Sequence, residues 1–106
     1  MVPSYGVVSS AKAALESHVR QLAMELARLD TGVTANSIRA GVTVTPALMK
    51  IPEHDLIIDA AVRRNPTGRM TRPQDVADAI LALSEGAGFI SGEVIGVDGA
   101  EFVTGS

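Results

Sequence analysis

Tyr5 and Lys12 are the two residues of this chain whose types and spacing best suit chemistry, and Tyr5 is the only tyrosine among the 106 residues. They stand seven positions apart, close to two turns of α-helix. On a helix that includes Tyr5, the two side chains would leave one face about 20° apart and roughly 10 Å apart along the axis. A phenol donates a hydrogen bond and an ammonium group adds positive charge, so such a pair can serve one ligand. The spacing therefore identifies Tyr5 and Lys12 as candidate catalytic residues.

The elements that must position this pair follow from the hydrophobic periodicity. Apolar residues at spacings of three and four predict one long amphipathic helix over residues 4 to 30. A strand is predicted over 33 to 38, then a loop with a short helical piece, a helix over 55 to 64, a helix from about 72 to 84, and a strand over 94 to 97. The order of strand, helix and strand predicts parallel strands joined by a crossover connection.

Local signals refine the last helix and the end of the chain. Thr71 and Gln74 fit a capping box, and Pro73 suits the first helical turn because its missing N–H is not needed there. The apolar positions predicted to face inward on this helix are Val76, Ala77, Ile80, Leu81 and Leu83. Asp98 and Gly99 predict a turn after the last strand.

Composition limits the classes of function. The net charge of −3 and the lack of an extended basic patch argue against nucleic acid as a partner. The chain has no cysteine, and His18 and His54 have no neighbouring ligands at metal spacing, so no metal site is predicted. No apolar run approaches 18 residues, which argues against a membrane span and favours a cytoplasmic protein.

Four segments, in this order, resemble the carboxy-terminal half of the short-chain dehydrogenase/reductase family: AKAALESHVRQLAMELA, TANSIRAGVTVT, NPTGRMTRPQDVADAILAL and ISGEVIGVDGA. The resemblance covers nearly the whole chain. It implies an α/β fold, the carboxy-terminal part of a Rossmann-like doubly wound parallel sheet. Residues 1–106 would then be a single incomplete domain whose amino-terminal dinucleotide-binding half is absent.

The interval between Tyr5 and Lys12 points to one branch of that family. In most members the tyrosine lies four residues before the lysine, where this chain has Val8. The enoyl-acyl-carrier-protein reductase branch has Tyr-x6-Lys, which is the spacing found here. Ala40, in place of the proline that many members have before the glycine of the next loop, is also shared with that branch.

The resemblance assigns roles to five residues. Tyr5 would donate a hydrogen bond to the oxygen of an acyl thioester as negative charge develops there, and Lys12 would support it while binding the ribose of NAD(P)H. Gly41, Thr43 and Thr45 would lie in the loop that contacts the nicotinamide, with Thr43 binding the carboxamide through its backbone and Thr45 binding the carboxamide or a phosphate. The ordinary alternatives are an aromatic anchor at the helix start, a solvated lysine, and a turn whose threonines bind their own backbone.

Other motif residues are interpreted as structural. Arg69 is expected to donate structural hydrogen bonds, and Asp98 and Gly99 to shape the turn that ends the last strand. The resemblance also implies a homo-oligomer. The residues that choose between NADH and NADPH would precede Met1, so the sequence leaves that choice open.

Three functions compete. The first is an NAD(P)-dependent oxidoreductase of fatty acid synthesis, represented by its carboxy-terminal half and acting on an acyl thioester or another small molecule. The second is a non-enzymatic truncated paralogue that self-associates or binds a partner. The third is a binder of small ligands that keeps the acyl pocket without redox capacity. The first is favoured for ancestry and the second for these 106 residues alone, for which we expect no dinucleotide binding.

Overall fold

The computed structural model describes residues 5 to 104, and side chains from residue 9 onward. The elements are α1 (Tyr5–Arg28), β1 (Ser37–Ala40), α2 (Pro46–Met49), α3 (His54–Arg64), α4 (Pro73–Gly86), β2 (Val94–Val97) and α5 (Glu101–Thr104). The predicted long helix, the short helical piece, the two later helices and the last strand are confirmed. None of these helices is long and apolar enough to cross a membrane.

Strands β1 and β2 pair in a two-stranded sheet. The Ser37 N–H donates to the Glu93 carbonyl at 2.9 Å, and the Gly41 N–H donates to the Val97 carbonyl at 3.1 Å. The position advances by the same amount along both strands, so the strands are parallel. The predicted parallel α/β arrangement is confirmed.

The predicted first strand was placed too early. Strand β1 begins at Ser37, whereas the prediction began at residue 33. The preceding residues are held differently: the Ala35 N–H donates to Ser91 Oγ at 3.2 Å, and Asn36 Nδ2 donates to the Ile90 carbonyl at 3.0 Å. The Gly92 N–H also donates to the Ala35 carbonyl at 2.7 Å, so these residues contact the segment before β2 without belonging to the strand.

The chain divides into two compact units. The first comprises Met1–Ser37 and Gly86–Ile95, and the second comprises Ile38–Glu85 and Gly96–Ser106. Their interiors differ in character. In the first unit the buried apolar residue is Ala23 of α1, whereas the buried residues of the second unit are Ala61 together with three polar side chains, Asn65, Thr71 and Glu101.

In the first unit, α1 makes its close approach at Ala23. A Cβ built on Gly92 would lie 3.6 Å from the Ala23 Cβ, and Gly92 has φ +77°, a conformation that favours glycine. On the apolar face of α1, Val19 and Leu26 are half-buried, whereas Leu15, Leu22 and Leu29 are exposed. Among the described residues, therefore, the apolar face of α1 is covered only in part.

In the second unit, α4 starts as predicted but is capped by other residues. The Asp75 carboxylate accepts from the Arg72 N–H at 2.8 Å, one turn back. Thr71 Oγ1 instead donates to the Val97 carbonyl at 3.5 Å, and Gln74 bonds Asp78. The predicted Thr71–Gln74 capping box is therefore wrong, although the pattern did locate the helix start. The predicted inward positions hold only in part, because Ile80 and Leu81 are exposed.

Candidate active site

The candidate catalytic pair lies on α1, which begins at Tyr5. The backbone is therefore helical from Tyr5 through Lys12, as the shared-face interpretation requires, and a rise of 1.5 Å per residue places the two positions roughly 10 Å apart along the axis. Lys12 is exposed. The side chain of Tyr5 lies outside the described residues, so the meeting of the two groups stays a prediction.

Apart from Lys12, the candidate cofactor residues lie in the loop between β1 and α2, which we call the 41–45 loop. Thr43 Oγ1 donates to the Gly41 carbonyl at 2.9 Å. Thr45 precedes α2 in an extended conformation, and its Oγ1 accepts from the Leu48 N–H at 3.1 Å. Both threonines thus bind nearby backbone, as the ordinary alternative predicted. The bond to Leu48 uses Thr45 as an acceptor, which leaves its O–H able to donate to a ligand.

Gly41 stands where three segments of the second unit converge. A Cβ at this position would collide with Thr71 Oγ1, and it would lie 2.9 Å from the Asp98 Cβ and 3.1 Å from Glu101 Oε2. Thr71 lies two residues before α4, Asp98 lies in the turn after β2, and Glu101 is the first residue of α5. Only glycine leaves room for these side chains to meet the backbone of the 41–45 loop.

The turn after β2 is shaped by Asp98, as predicted. Asp98 Oδ1 accepts from the Ala100 N–H at 3.0 Å, and Oδ2 accepts from the Phe102 N–H at 3.1 Å, which caps α5. Gly99 and Ala100 have positive φ values of 60° and 69°. Asn65, at the end of α3, donates through Nδ2 to the Asp98 carbonyl at 2.9 Å. Asp98 and Gly99 therefore connect β2, α3 and α5.

Arg69 is a structural hydrogen-bond donor, also as predicted. Its guanidinium binds the Asp75 carboxylate in a bidentate manner, with N–O distances of 2.8 and 3.2 Å, and also donates to the Met70 carbonyl. The hydrogen bond from Arg69, followed by that from the Arg72 N–H, lowers the pKa of Asp75 to about 2. The same pair raises the pKa of Arg69. This pair fixes the start of α4 and engages the Arg69 guanidinium in structural bonds.

The structure thus gathers Gly41, Thr43 and Thr45 on one loop of the second unit, and it places Tyr5 and Lys12 on the helix of the first. Sequence reasoning missed Glu101, whose carboxylate accepts from the Val42 N–H at 3.0 Å. No local motif marks this residue, because its partner lies 59 positions away. Within the described residues, no group of three histidine, aspartate or glutamate side chains could hold a metal ion.

A nicotinamide cofactor can be tested against these groups. The exposed ammonium of Lys12 and the free O–H of Thr45 are hydrogen-bond donors, which suit the hydroxyl oxygens of a ribose and the carbonyl oxygen of a carboxamide. Each of these donors, taken by itself, therefore suits one polar group of such a cofactor.

Comparison with known proteins finds one family along the chain. The model of the enoyl-(acyl carrier protein) reductase family matches residues 1–100. The enoyl-[acyl-carrier-protein] reductase [NADH] of Aquifex aeolicus is 39% identical over 106 residues, and the (2S)-[(R)-hydroxy(phenyl)methyl]succinyl-CoA dehydrogenase subunit BbsD of Thauera aromatica is 38% identical over 92 residues. These alignments cover 99% and 86% of this chain.

A solved structure agrees with the sequence comparison. The Bacillus cereus enoyl-acyl carrier protein reductase, in complex with NADP+ and indole naphthyridinone, superposes with a TM-score of 0.89 and 32% identity. It covers all of this chain, which corresponds to 41% of the Bacillus protein. The chain likewise spans 38% of the length of the Aquifex relative and 36% of the Thauera relative. By this match along its length and in its fold, the chain belongs to the enoyl-(acyl carrier protein) reductase family, within the short-chain dehydrogenases/reductases.

Proposed function

We propose that this chain is the catalytic part of a cytoplasmic NAD(P)H-dependent reductase that acts on the carbon–carbon double bond of an acyl thioester in fatty acid synthesis. The observation that carries the proposal is the helical backbone from Tyr5 through Lys12, with the spacing of the enoyl-reductase branch. Residues 1–106 form one incomplete Rossmann-like domain, and the rest of the dinucleotide site belongs to the complete protein.

When bound, a reduced nicotinamide cofactor would supply the hydride that the β-carbon of the enoyl thioester receives. The resulting enolate would carry negative charge on the thioester oxygen until its α-carbon takes a proton from water. The Tyr5 hydroxyl donates a hydrogen bond to that oxygen, because a positioned donor helps most where charge develops. The positive charge of Lys12 favours the same charge distribution, and its ammonium binds the ribose.

The 41–45 loop has a binding role in this proposal. The backbone of Thr43 and the free O–H of Thr45 bind the carboxamide, and the lack of a side chain at Gly41 allows the loop to pack against the turn after β2. Thr45 is held in place by its bond to the Leu48 N–H, so its hydroxyl is positioned before any ligand arrives.

Carbonyl reduction is the second candidate, because the Thauera relative is named a dehydrogenase. The Tyr5–Lys12 interval favours enoyl reduction over this alternative. The comparisons give no support to a non-enzymatic paralogue. We further propose that the chain forms a homo-oligomer through α1, whose leucines at positions 15, 22 and 29 are exposed. A monomeric mass of the 106-residue chain in sedimentation would contradict this last point.

A chimaera tests the proposed activity. Residues 1–106 replace the matching segment of the Aquifex reductase, with which they share 39% identity. We expect the purified chimaera to oxidise NADH in the presence of crotonyl thioester, and the 106-residue chain alone to show no NADH binding in calorimetry. A folded chimaera that binds NADH but reduces only acetoacetyl thioester would support carbonyl reduction instead, and one that reduces neither substrate would contradict the proposal.

A further inference from the structure

Glu101 is a buried acidic residue that the proposed chemistry does not use. It is the first residue of α5 and is only 5% exposed. Burying a carboxylate is costly unless hydrogen bonds compensate for the lost hydration. The position of Glu101 must therefore be stabilised by what its carboxylate contacts.

The carboxylate contacts the 41–45 loop. Oε2 accepts from the Val42 N–H at 3.0 Å, a charge-assisted hydrogen bond of the stronger kind. Val42 directly follows Gly41, and a Cβ on Gly41 would lie 3.1 Å from the same Oε2. The carboxylate thus reaches the loop backbone because residue 41 has no side chain.

Other contacts fix the helix from which Glu101 projects. Thr104 Oγ1 donates to the Arg64 carbonyl at 3.2 Å, which attaches α5 to α3. The Arg39 guanidinium lies 3.9 Å from the centre of the Phe102 ring, which attaches α5 to β1. Because α5 contacts both α3 and β1, the backbone from which the Glu101 side chain projects is fixed in position.

The other groups near the Glu101 carboxylate do not replace its hydrogen bond with Val42. Arg64 Nη2 lies 4.0 Å from Oε2, beyond hydrogen-bond distance. Oε1 is buried and has no hydrogen-bond partner among the residues that the structure describes. Among the residues that the structure describes, the Val42 N–H is therefore the group that donates a hydrogen bond to this carboxylate.

We propose that Glu101 is a positioning residue that fixes the backbone of the 41–45 loop from the carboxy-terminal side of the fold. Its link to cofactor binding rests on the proposed function. With the bond to Val42 in place, the loop presents the Thr43 backbone and the Thr45 hydroxyl in one orientation. Without it, the Val42 N–H loses its partner and the loop can turn away, which weakens cofactor binding. The thioester chemistry depends on Tyr5 and is retained.

The first test measures the loop directly in the 106-residue chain. Amide hydrogen exchange at Val42, followed by NMR, is compared between the unsubstituted chain, Glu101→Ala and Glu101→Gln. The control is Glu53→Gln, since Glu53 is exposed and makes no capping bond through its side chain. We expect Val42 to exchange about tenfold faster or more in Glu101→Ala, with a smaller increase in Glu101→Gln, whose amide oxygen can still accept. Unchanged exchange at Val42 in both Glu101 variants would overturn the proposal.

The second test measures cofactor binding in the Aquifex chimaera. We expect Glu101→Ala to raise the KM for NADH by about tenfold while kcat stays within about twofold, with Glu101→Gln between the two. An unchanged KM, or a fall in kcat alone, would overturn the link to the cofactor. If the unsubstituted chimaera is inactive, the proposed function fails and the cofactor link fails with it. The exchange at Val42 still decides the positioning role separately.

Discussion

In the first unit, the candidate catalytic pair lies on a 24-residue helix, α1, whereas in the second unit the candidate nicotinamide-binding residues lie in an irregular loop of five residues. The helix is determined locally, by hydrogen bonds between residues four positions apart and by apolar residues at spacings of three and four. The 41–45 loop is positioned instead by residues distant in sequence: the Val42 N–H donates to Glu101, while Thr71 and Asp98 fill the space beside Gly41. The first kind of placement is local in sequence, and the second depends on residues far apart in the chain.

We expect the stability of the chain to be more sensitive to a methyl group added in the 41–45 loop of the second unit than to one added in the first unit. Gly41→Ala inserts a Cβ against Thr71 and Asp98, so we expect a loss of about 3 kcal/mol in the free energy of unfolding, the upper end for overpacking. The matched control is Gly88→Ala in the first unit, where a new Cβ would meet nothing within 4 Å. We expect the control to stay within about 0.5 kcal/mol. Urea unfolding measures both, and equal losses would contradict the comparison.

Two asparagines sharpen the same contrast. Asn65 in the second unit is buried, donating to the Asp98 carbonyl and accepting from Thr67, so Asn65→Ala should cost about 2 kcal/mol. Asn36 in the first unit makes a similar pair of hydrogen bonds, since it donates to the Ile90 carbonyl and accepts from the Glu93 N–H. Asn36 is more exposed, and water can replace its bonds, so Asn36→Ala should cost about half as much or less. A larger loss for Asn36 in urea unfolding would reverse this ranking of the two units.

The smallest expected effect concerns pH. The pKa of Asp75 is lowered to about 2 in the folded chain, below the value near 4 of an unfolded aspartate. Its contribution to stability is therefore fully present above about pH 4, and it is lost as the pH falls toward 2. We expect Asp75→Asn to flatten the dependence of Tm on pH in this window, while Asp59→Asn, an exposed control, leaves it unchanged. If the Tm of Asp75→Asn depended on pH as steeply as that of the unsubstituted chain, the role of the Arg69–Asp75 pair would be contradicted.

The same distinction explains which features could be predicted from the sequence. Helices α1, α3 and α4 were located because periodicity and terminal residues are local signals, and strand β2 because VIGV is followed by a turn. Strand β1 was misplaced because its bounds are set by pairing with β2, and the Thr71–Gln74 cap was wrong because Thr71 bonds Val97 instead. Helix α5 was missed because it is four residues long and depends on capping by Asp98.

The candidate site divides in the same way. The placement of Tyr5 and Lys12 on one helix face could be predicted from the sequence, because residues seven positions apart on a helix lie on the same face. The role of Glu101 is not visible, because its bond to Val42 arises only when β1 and the turn after β2 are brought together. Residues of the 41–45 loop were identified by family resemblance, and the structure adds the local bonds that hold them.

The proposed function requires Tyr5 to act on the substrate from the start of α1. The most direct test is Tyr5→Phe in the Aquifex chimaera, with crotonyl thioester and NADH as substrates. Removing a hydrogen-bond donor from a site of developing charge should lower kcat by about 100-fold or more, with the KM for NADH within about twofold. An unchanged kcat in the folded Tyr5→Phe chimaera would contradict the account.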